Sequence, residues 1–371
     1  MAKNVSELLN PATVSALVQQ AQFSGSSLQR LFGWGFSGTN RRKMTGRQYR
    51  YRQLSHPGEL ASGRLPGTET ASPDPQSGPT ISDDFLRAAE TSHIKDEDLM
   101  QARIFVPDSQ EALDEGIERH ITRKEIQLAQ RFVNFREYQT AALLHGQYSY
   151  SYDEDFVRYS YGHSGSTNIS YNIPASHRDK LAIEGSDIIT ASWATPSTDI
   201  PKEISEVNAA MVRSSGMGIS NIVVNGTMWE HIINNTKVKE LGGSEGVISS
   251  ISGDQSHGDF SAKLRAFPWL TFYVVDYEIP VWNGSSYVSE KAIPDEMVAF
   301  IPRPSSTWAE YIEGSEVVAS SSEEKHEAFG FHMWANSSLN PSGWDLNGVD
   351  NGVVALYNPT ALAVADVLNF V

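Results

Sequence analysis

SQEALDEGIERHITRKEIQLAQRFVNFREYQTAALLHG, residues 109–146, is the stretch that decides the fold. Leu113, Ile117, Ile121, Leu128, Phe132, Phe135 and Ala142 recur at spacings of three, four or seven, which places them on one face of a helix. Pro107 and Asp108 precede the run, and Glu111 stands at the capping-box position. Gly146 is placed to end it. At 1.5 Å per residue such a helix is roughly 55 Å long, beyond the ordinary globular range. It lacks the strict heptad of a coiled coil, and Gly116 weakens its first turns. A helix of that length crosses the width of a domain and serves as a backbone for sheets.

Working outward, the chain has 371 residues, 40% of them hydrophobic, and a net charge of −16. That length suggests about two or three domains and burial of roughly three quarters of the unfolded surface. Disordered, collagen-like and small disulfide-scaffold classes are excluded. There is no cysteine, so disulfides, thiolate metal sites and a cysteine nucleophile are impossible. This suits a reducing compartment or indifference to redox state. No run of about 18 apolar residues marks a membrane span, and Met1 to Glu7 has no apolar core of a signal peptide.

Charge is unevenly spread. Residues 1–64 carry nine basic side chains (Lys3, Arg30, Arg41, Arg42, Lys43, Arg47, Arg50, Arg52 and Arg64) against two acids, Glu7 and Glu59. The rest of the chain carries the acidic excess. A basic arm on an acidic body complements a second copy of itself, and this pairing ranks first. A solvated basic loop ranks second. Nucleic-acid stacking by Tyr49 and Tyr51 among the arginines ranks third, because the whole-chain field repels phosphates.

Residues 7–23 read as a short amphipathic helix. Phe32, Trp34 and Phe36 then stand among glycines, a cluster too small to be its own core, which must bury against this chain or another. Arg47 to Arg52 alternates Tyr with Arg and predicts a strand. Ser62 to Thr80, with Pro66, Pro73, Pro75 and Pro79, forbids helix and central strand. After the long helix, Gln147 to Arg158 reads as one strand and Gly162 to Asn172 as a loop. A compact α/β region starts at Asp199, the cap of a helix ending at Gly216. Asn221 to Asn225 predicts a buried strand, and Thr227 with Glu230 a capping box opening one helix through Leu241. Leu270 to Tyr277 and Met297 to Ile301 predict strands, with a turn at Asn283-Gly284. Gly352 to Tyr357 predicts the last strand, turned at Asn358-Pro359.

No motif assembles a catalytic, cofactor or metal site. Gly162-His163-Ser164-Gly165-Ser166 misses the final glycine of a nucleophile elbow. Gly216-Met217-Gly218 lacks the third glycine of a dinucleotide loop. His326 and His332 have no third ligand and read as structural. Asp345 to Asp350 is only loosely like a calcium loop, with glycine at the wrong position and no closing Glu.

One family does resemble this series of elements. Gln130 to Tyr148 resembles the spine-helix end of lambda-type tailed-phage major capsid proteins. Asp199–Gly218 with Asn221–Val224 and Trp229, then Phe272–Tyr277 with Ile293–Val298, then Val353–Val364, are similar to its later segments in order. The likeness covers roughly residues 110–371 and lies in order more than in any single motif. It implies an α+β, HK97-like capsid fold: an N-terminal arm (1–40), an extended loop (41–100) reaching a neighbour, a peripheral domain (101–198 with 322–371) bearing the spine helix, and an axial domain (199–321).

The function so implied is a major capsid protein, without catalysis or cofactor, that closes an icosahedral shell of hexamers and pentamers around packaged DNA held non-specifically. A separate scaffolding protein, a portal and a decoration protein are the implied partners. Its place is the virion, after assembly in the host cytoplasm. The expected inter-subunit contacts are Arg41, Arg42, Lys43, Arg47, Arg50, Arg52, Phe32, Trp34 and Phe36. Lys43 also lies where some such proteins cross-link, but no Asn partner can be placed for it. The alternatives are a carbohydrate-active hydrolase using Asp153 and Asp155, or a tail subunit.

Overall fold

The computed structural model describes residues 26–53, 79–85, 87–104, 110–153, 156–160, 167–243, 246–254, 259–283, 285–319, 325–339 and 342–369. The expected 7–23 helix, most of the Ser62–Thr80 stretch, and residues 162–166 of the Gly-rich loop lie outside the described residues. Two compact units emerge. The first draws on Met1–Tyr49, Ser82–Glu137 and Tyr311–Val354, the second on Arg50–Ile81, Tyr138–Glu310 and Ala355–Val371. Six α-helices occur among the described residues: α1 (Ser27–Phe32), α2 (Asp96–Ile104), α3 (Gln110–His145), α4 (Ile200–Ser215), α5 (Gly226–Asn234) and α6 (Thr236–Gly242).

The long helix forms where its apolar periodicity places it, over 36 residues. In the first unit a six-stranded sheet is built on the 15-residue strand Ser342–Leu356. Arg87–Lys95 and His332–Leu339 both pair with it antiparallel. Ala309–Ala319 follows in the sheet and carries Arg41–Met44 in parallel and Lys325–Phe329 antiparallel. Ile117, Ile121, Leu128 and Phe132 of α3 pack into one core with Ile94, Met333, Ala335 and Leu346 from that sheet. The face read from the sequence is therefore the face that is buried.

The second unit holds a seven-stranded mixed sheet in the order Ile248–Asp254, Asp259–Leu264, Phe267–Val275, Asn221–Val224, Met297–Ile301, Ala363–Asp366 and Arg178–Asp179. Ile204, Val207 and Met211 of α4 and Trp229 and Ile232 of α5 share its core with Phe272 and Phe300. Asp199 caps α4 by accepting from the Lys202 amide at 3.1 Å, and Gly216 ends it in the left-handed region.

Several local expectations are corrected. Gln147 to Arg158 is not one strand but a hairpin of Gln147–Asp153 with Phe156–Ser160. Thr167–Ser170, expected as loop, adds a third strand to it. The single helix expected from Thr227 to Leu241 is two. Asn225, not Thr227, caps α5 by accepting from the Met228 amide at 2.8 Å. Asn235 then breaks the run and caps α6 through the Lys237 and Val238 amides. Tyr277 lies past its strand, and the Asn283 turn joins an extra hairpin, Glu278–Trp282 with Tyr287–Lys291, with Gly284 outside the described residues. Asp345 to Asp350 lies inside the extended strand Ser342–Leu356, so its side chains alternate between faces and cannot converge on an ion.

Candidate assembly surface

The aromatic cluster near the N-terminus finds its cover within its own unit. Phe32 and Trp34 stack at 4.4 Å between centroids and are essentially fully buried. Phe36, half-buried, stacks on Phe331 at 4.0 Å. Helix α1 is fastened to α3 by polar contacts as well. The Glu137 carboxylate accepts from the Leu28 and Gln29 amides at 2.8 and 3.0 Å, and the Gln29 side chain donates to the Val133 carbonyl at 3.1 Å. An acid at the start of a helix satisfies amides that have no intrahelical partner.

At the preceding residue, Arg136, lies a charge node that sequence reading missed. Arg136 is wholly buried, and its guanidinium grips Asp350 through two bonds, at 2.6 and 2.8 Å. It also donates to the Trp34 carbonyl at 2.9 Å and to Glu313 at 3.3 Å. The Phe36 and Tyr311 rings lie 4.9 and 4.6 Å from the guanidinium carbon. Glu313 in turn accepts from Arg41 at 2.6 Å. Burial pulls the Arg136 pKa down, but Asp350, Tyr311 and Glu313 outweigh it and hold the group above its ordinary value. Two glycines make the space. A Cβ on Gly352 would lie 2.5 Å from the Tyr311 ring, and one on Gly330, at φ +63°, 2.6 Å from the Glu313 carboxylate. The signal in the sequence was an Arg on the apolar side of a long helix, at the i+4 position from Phe132, which only a buried counter-ion permits.

The basic candidates separate into two groups. Arg41 is committed to Glu313 inside the first unit. Arg42, Lys43, Arg47, Arg50 and Arg52 are exposed. Lys43 lies over the Phe329 ring at 5.4 Å. The predicted strand forms as Gln48–Arg52, paired with Thr80–Asp84 in a two-stranded ribbon. Its burial alternates strictly: Tyr49 and Tyr51 are buried, while Gln48, Arg50 and Arg52 face outward. Asp83 and Asp84, also exposed, give the ribbon charges of both signs.

Among the described residues, no group of three or more His, Asp or Glu side chains could hold a metal ion. No helix among them is long and apolar enough to cross a membrane. Asp155, half of the expected hydrolase pair, lies outside the described residues.

A family model described as phage major capsid protein E matches residues 59–367. This chain belongs to that family. It is a shell-forming capsid protein of a phage virion, and the hydrolase reading finds no support. The fold is that of HK97-like capsid proteins. It resembles a putative capsid protein from a prophage of E. coli CFT073, with TM-score 0.56 and 12% identity, over 97% of this chain and 99% of that one. It also resembles a phage-related protein of Bordetella bronchiseptica RB50, with TM-score 0.54 and 12% identity, over 96% and 97% of the two chains. No curated protein matches the capsid chain by sequence.

Proposed function

We propose that the exposed basic residues Arg42, Lys43, Arg47, Arg50 and Arg52 bridge to acidic surfaces of neighbouring copies in the shell. The observation that carries this is the alternation on Gln48–Arg52, where tyrosines fill the inward positions and arginines take the outward ones. A strand that buries its tyrosines and presents arginine outward, on a chain of net charge −16, is suited to a second copy of that chain. Phe32, Trp34, Phe36 and Arg41 contribute by holding residues 26–44 in place, so that the exposed residues are presented in a fixed frame. Many such small contacts, repeated by closed symmetry, sum to a stable shell.

On this reading residues 199–321, with α4, α5 and α6, form the axial domain. Residues 101–198 with 322–371, bearing α3, form the peripheral domain. Residues 41–100 form the extended loop that reaches a neighbour. Hexamers and pentamers assemble in the host cytoplasm on a separate scaffold, with a portal and a decoration protein, around DNA bound without sequence preference. No member of this chain's own residues acts as a catalyst. Reversing two charges, Arg47→Glu with Arg50→Glu, tests the electrostatic part. The expected result is a folded chain with unchanged thermal unfolding that forms no shells at moderate salt, read by sedimentation and negative-stain microscopy. Normal shells from that variant would overturn it.

A further inference from the structure

Within the first unit, helix α3 has two unlike faces. Ile117, Ile121, Leu128 and Phe132 enter the core. The exposed positions from 118 to 134 are Glu118, Arg119, Arg123, Gln127, Arg131 and Asn134, with Lys124 and Gln130 half-buried beside them. Of the two acids in that stretch, Glu125 is buried, so only Glu118 puts a carboxylate on the outer face of the helix. Glu90, on the strand Arg87–Lys95, pairs with Arg131. Arg119, Arg123, Gln127 and Arg131 follow one another at steps of four, a row roughly 18 Å long at 1.5 Å per residue.

Helix stability does not account for this row. Cations favoured by the helix dipole belong in the last turn, and α3 runs on to His145. Arg119 and Arg123 are like charges four residues apart, a spacing that destabilises a helix. A solvated helix face would alternate signs there. Nor does the row suit a protein partner, because none of its exposed side chains is aromatic or apolar and could form the dry centre of an interface. What it offers is guanidinium, ammonium and primary amide, the donors that contact phosphate oxygens without reading base sequence. We infer that this row on α3 is the surface through which the shell meets the phosphate backbone of the duplex DNA it encloses. This rests on the reading that the shell encloses DNA held without sequence preference. The net charge of −16 does not forbid it, since at physiological salt exposed charges act over only about 8 Å and the nearest cations govern contact. Along roughly 18 Å a duplex presents about ten phosphates. Arg119, Arg123 and Lys124, with Arg131 exchanging Glu90 for phosphate, neutralise fewer than half of them. Contact is therefore weak at each copy, repeated over the shell, and leaves the duplex able to slide.

The test is binding of the full-length, unassembled chain to a random-sequence duplex of about 30 base pairs, read by fluorescence anisotropy from about 50 to 200 mM salt. The combined variant Arg119→Gln, Arg123→Gln and Lys124→Gln keeps good helix formers and should unfold at the same temperature. It should bind about tenfold more weakly at the lowest salt, with the slope of log K against log salt reduced by about 3. Arg119→Lys with Arg123→Lys keeps the charges and should bind as the unaltered chain does, which ties the loss to charge. Unchanged affinity and slope in the glutamine variant would overturn the inference, as would failure of the unaltered chain to bind the duplex. The glutamine variant should also form shells in normal number. Loss of shells at full thermal stability would make the row a contact between chains, and overturn it too. Virions of the unaltered chain should protect DNA from nuclease. If they hold none, the reading that the shell encloses DNA fails. If they protect DNA while the glutamine variant keeps its affinity and slope, that reading stands and the α3 surface alone is overturned.

Discussion

The two units bury different kinds of polar group. The first buries full charges: Arg136, Asp350 and Glu313 in one node, Glu137 against α1, and Glu125 on the apolar face of α3. The second buries mostly neutral amides, Asn225 and Asn235 among them, with Glu203 satisfied by the Thr190 amide and hydroxyl and the Trp193 indole N–H. Neutral caps tolerate change, because each satisfies a local debt of one helix end. A charge node tolerates none, since removing one partner strands the others in low dielectric. The first unit should thus be sensitive to single substitutions at its charges, and the second should depend mainly on apolar fit, with His145 and His177, whose pKa values burial lowers, as its own sensitivity to acid.

The sharpest way to break that contrast is Arg136→Met. It leaves Asp350 buried without its counter-ion, and the unassembled chain should lose about 3–5 kcal/mol in urea unfolding at neutral pH. The loss should shrink in acid, where Asp350 takes a proton instead. Adding Asp350→Leu should restore most of the stability, because Arg41 still answers Glu313. The counterpart in the second unit is Phe272→Ala, also worth about 3–5 kcal/mol but without the dependence on pH. Equal pH profiles for the two variants would erase the distinction.

Glu125 gives the next largest effect. It is 2% exposed, one of its carboxylate oxygens has no hydrogen-bond partner, and burial pushes its pKa up to about 7. The folded chain therefore prefers the protonated form. The stability this group allows is full below the unfolded value near 4.5 and falls as pH rises towards about 7. Glu125→Gln should match the unaltered chain near pH 4 and exceed it by roughly 2–3 kcal/mol at pH 8. A constant difference across that range would mean that folding leaves the Glu125 pKa where it is in the unfolded chain, and the burial argument would fail.

How much of this was legible in the sequence follows from the range of each interaction. α3 and its apolar face are local, fixed by spacing alone, and Ile117, Ile121, Leu128 and Phe132 are where the pattern put them. The Arg-Tyr alternation was equally local, and the strand is there. The strands at 87–95, 309–319 and 332–339 gave weaker signals. Their residues are polar on one face, and their pairing with Ser342–Leu356 spans long stretches of chain. The Arg136 node was invisible for the same reason, as its partners lie 177 and 214 residues away.

The smallest effect sharpens the other side of the contrast. Asn235 sits between α5 and α6, fully buried, and its oxygen accepts from the Lys237 and Val238 amides while its nitrogen donates to the Thr198 carbonyl at 2.9 Å. Asn235→Ala removes the cap and should cost about 1–2 kcal/mol. Asn235→Asp keeps the acceptor for the helix amides and gains from the helix dipole, but it loses the donor to Thr198. Its cost should therefore be smaller and should rise with pH as the carboxylate ionises against that carbonyl. If Asn235→Ala instead cost as much as Arg136→Met, the neutral polar groups of the second unit would be as indispensable as the charges of the first. The distinction between a unit held by charge balance and one held by apolar packing would then have to be abandoned.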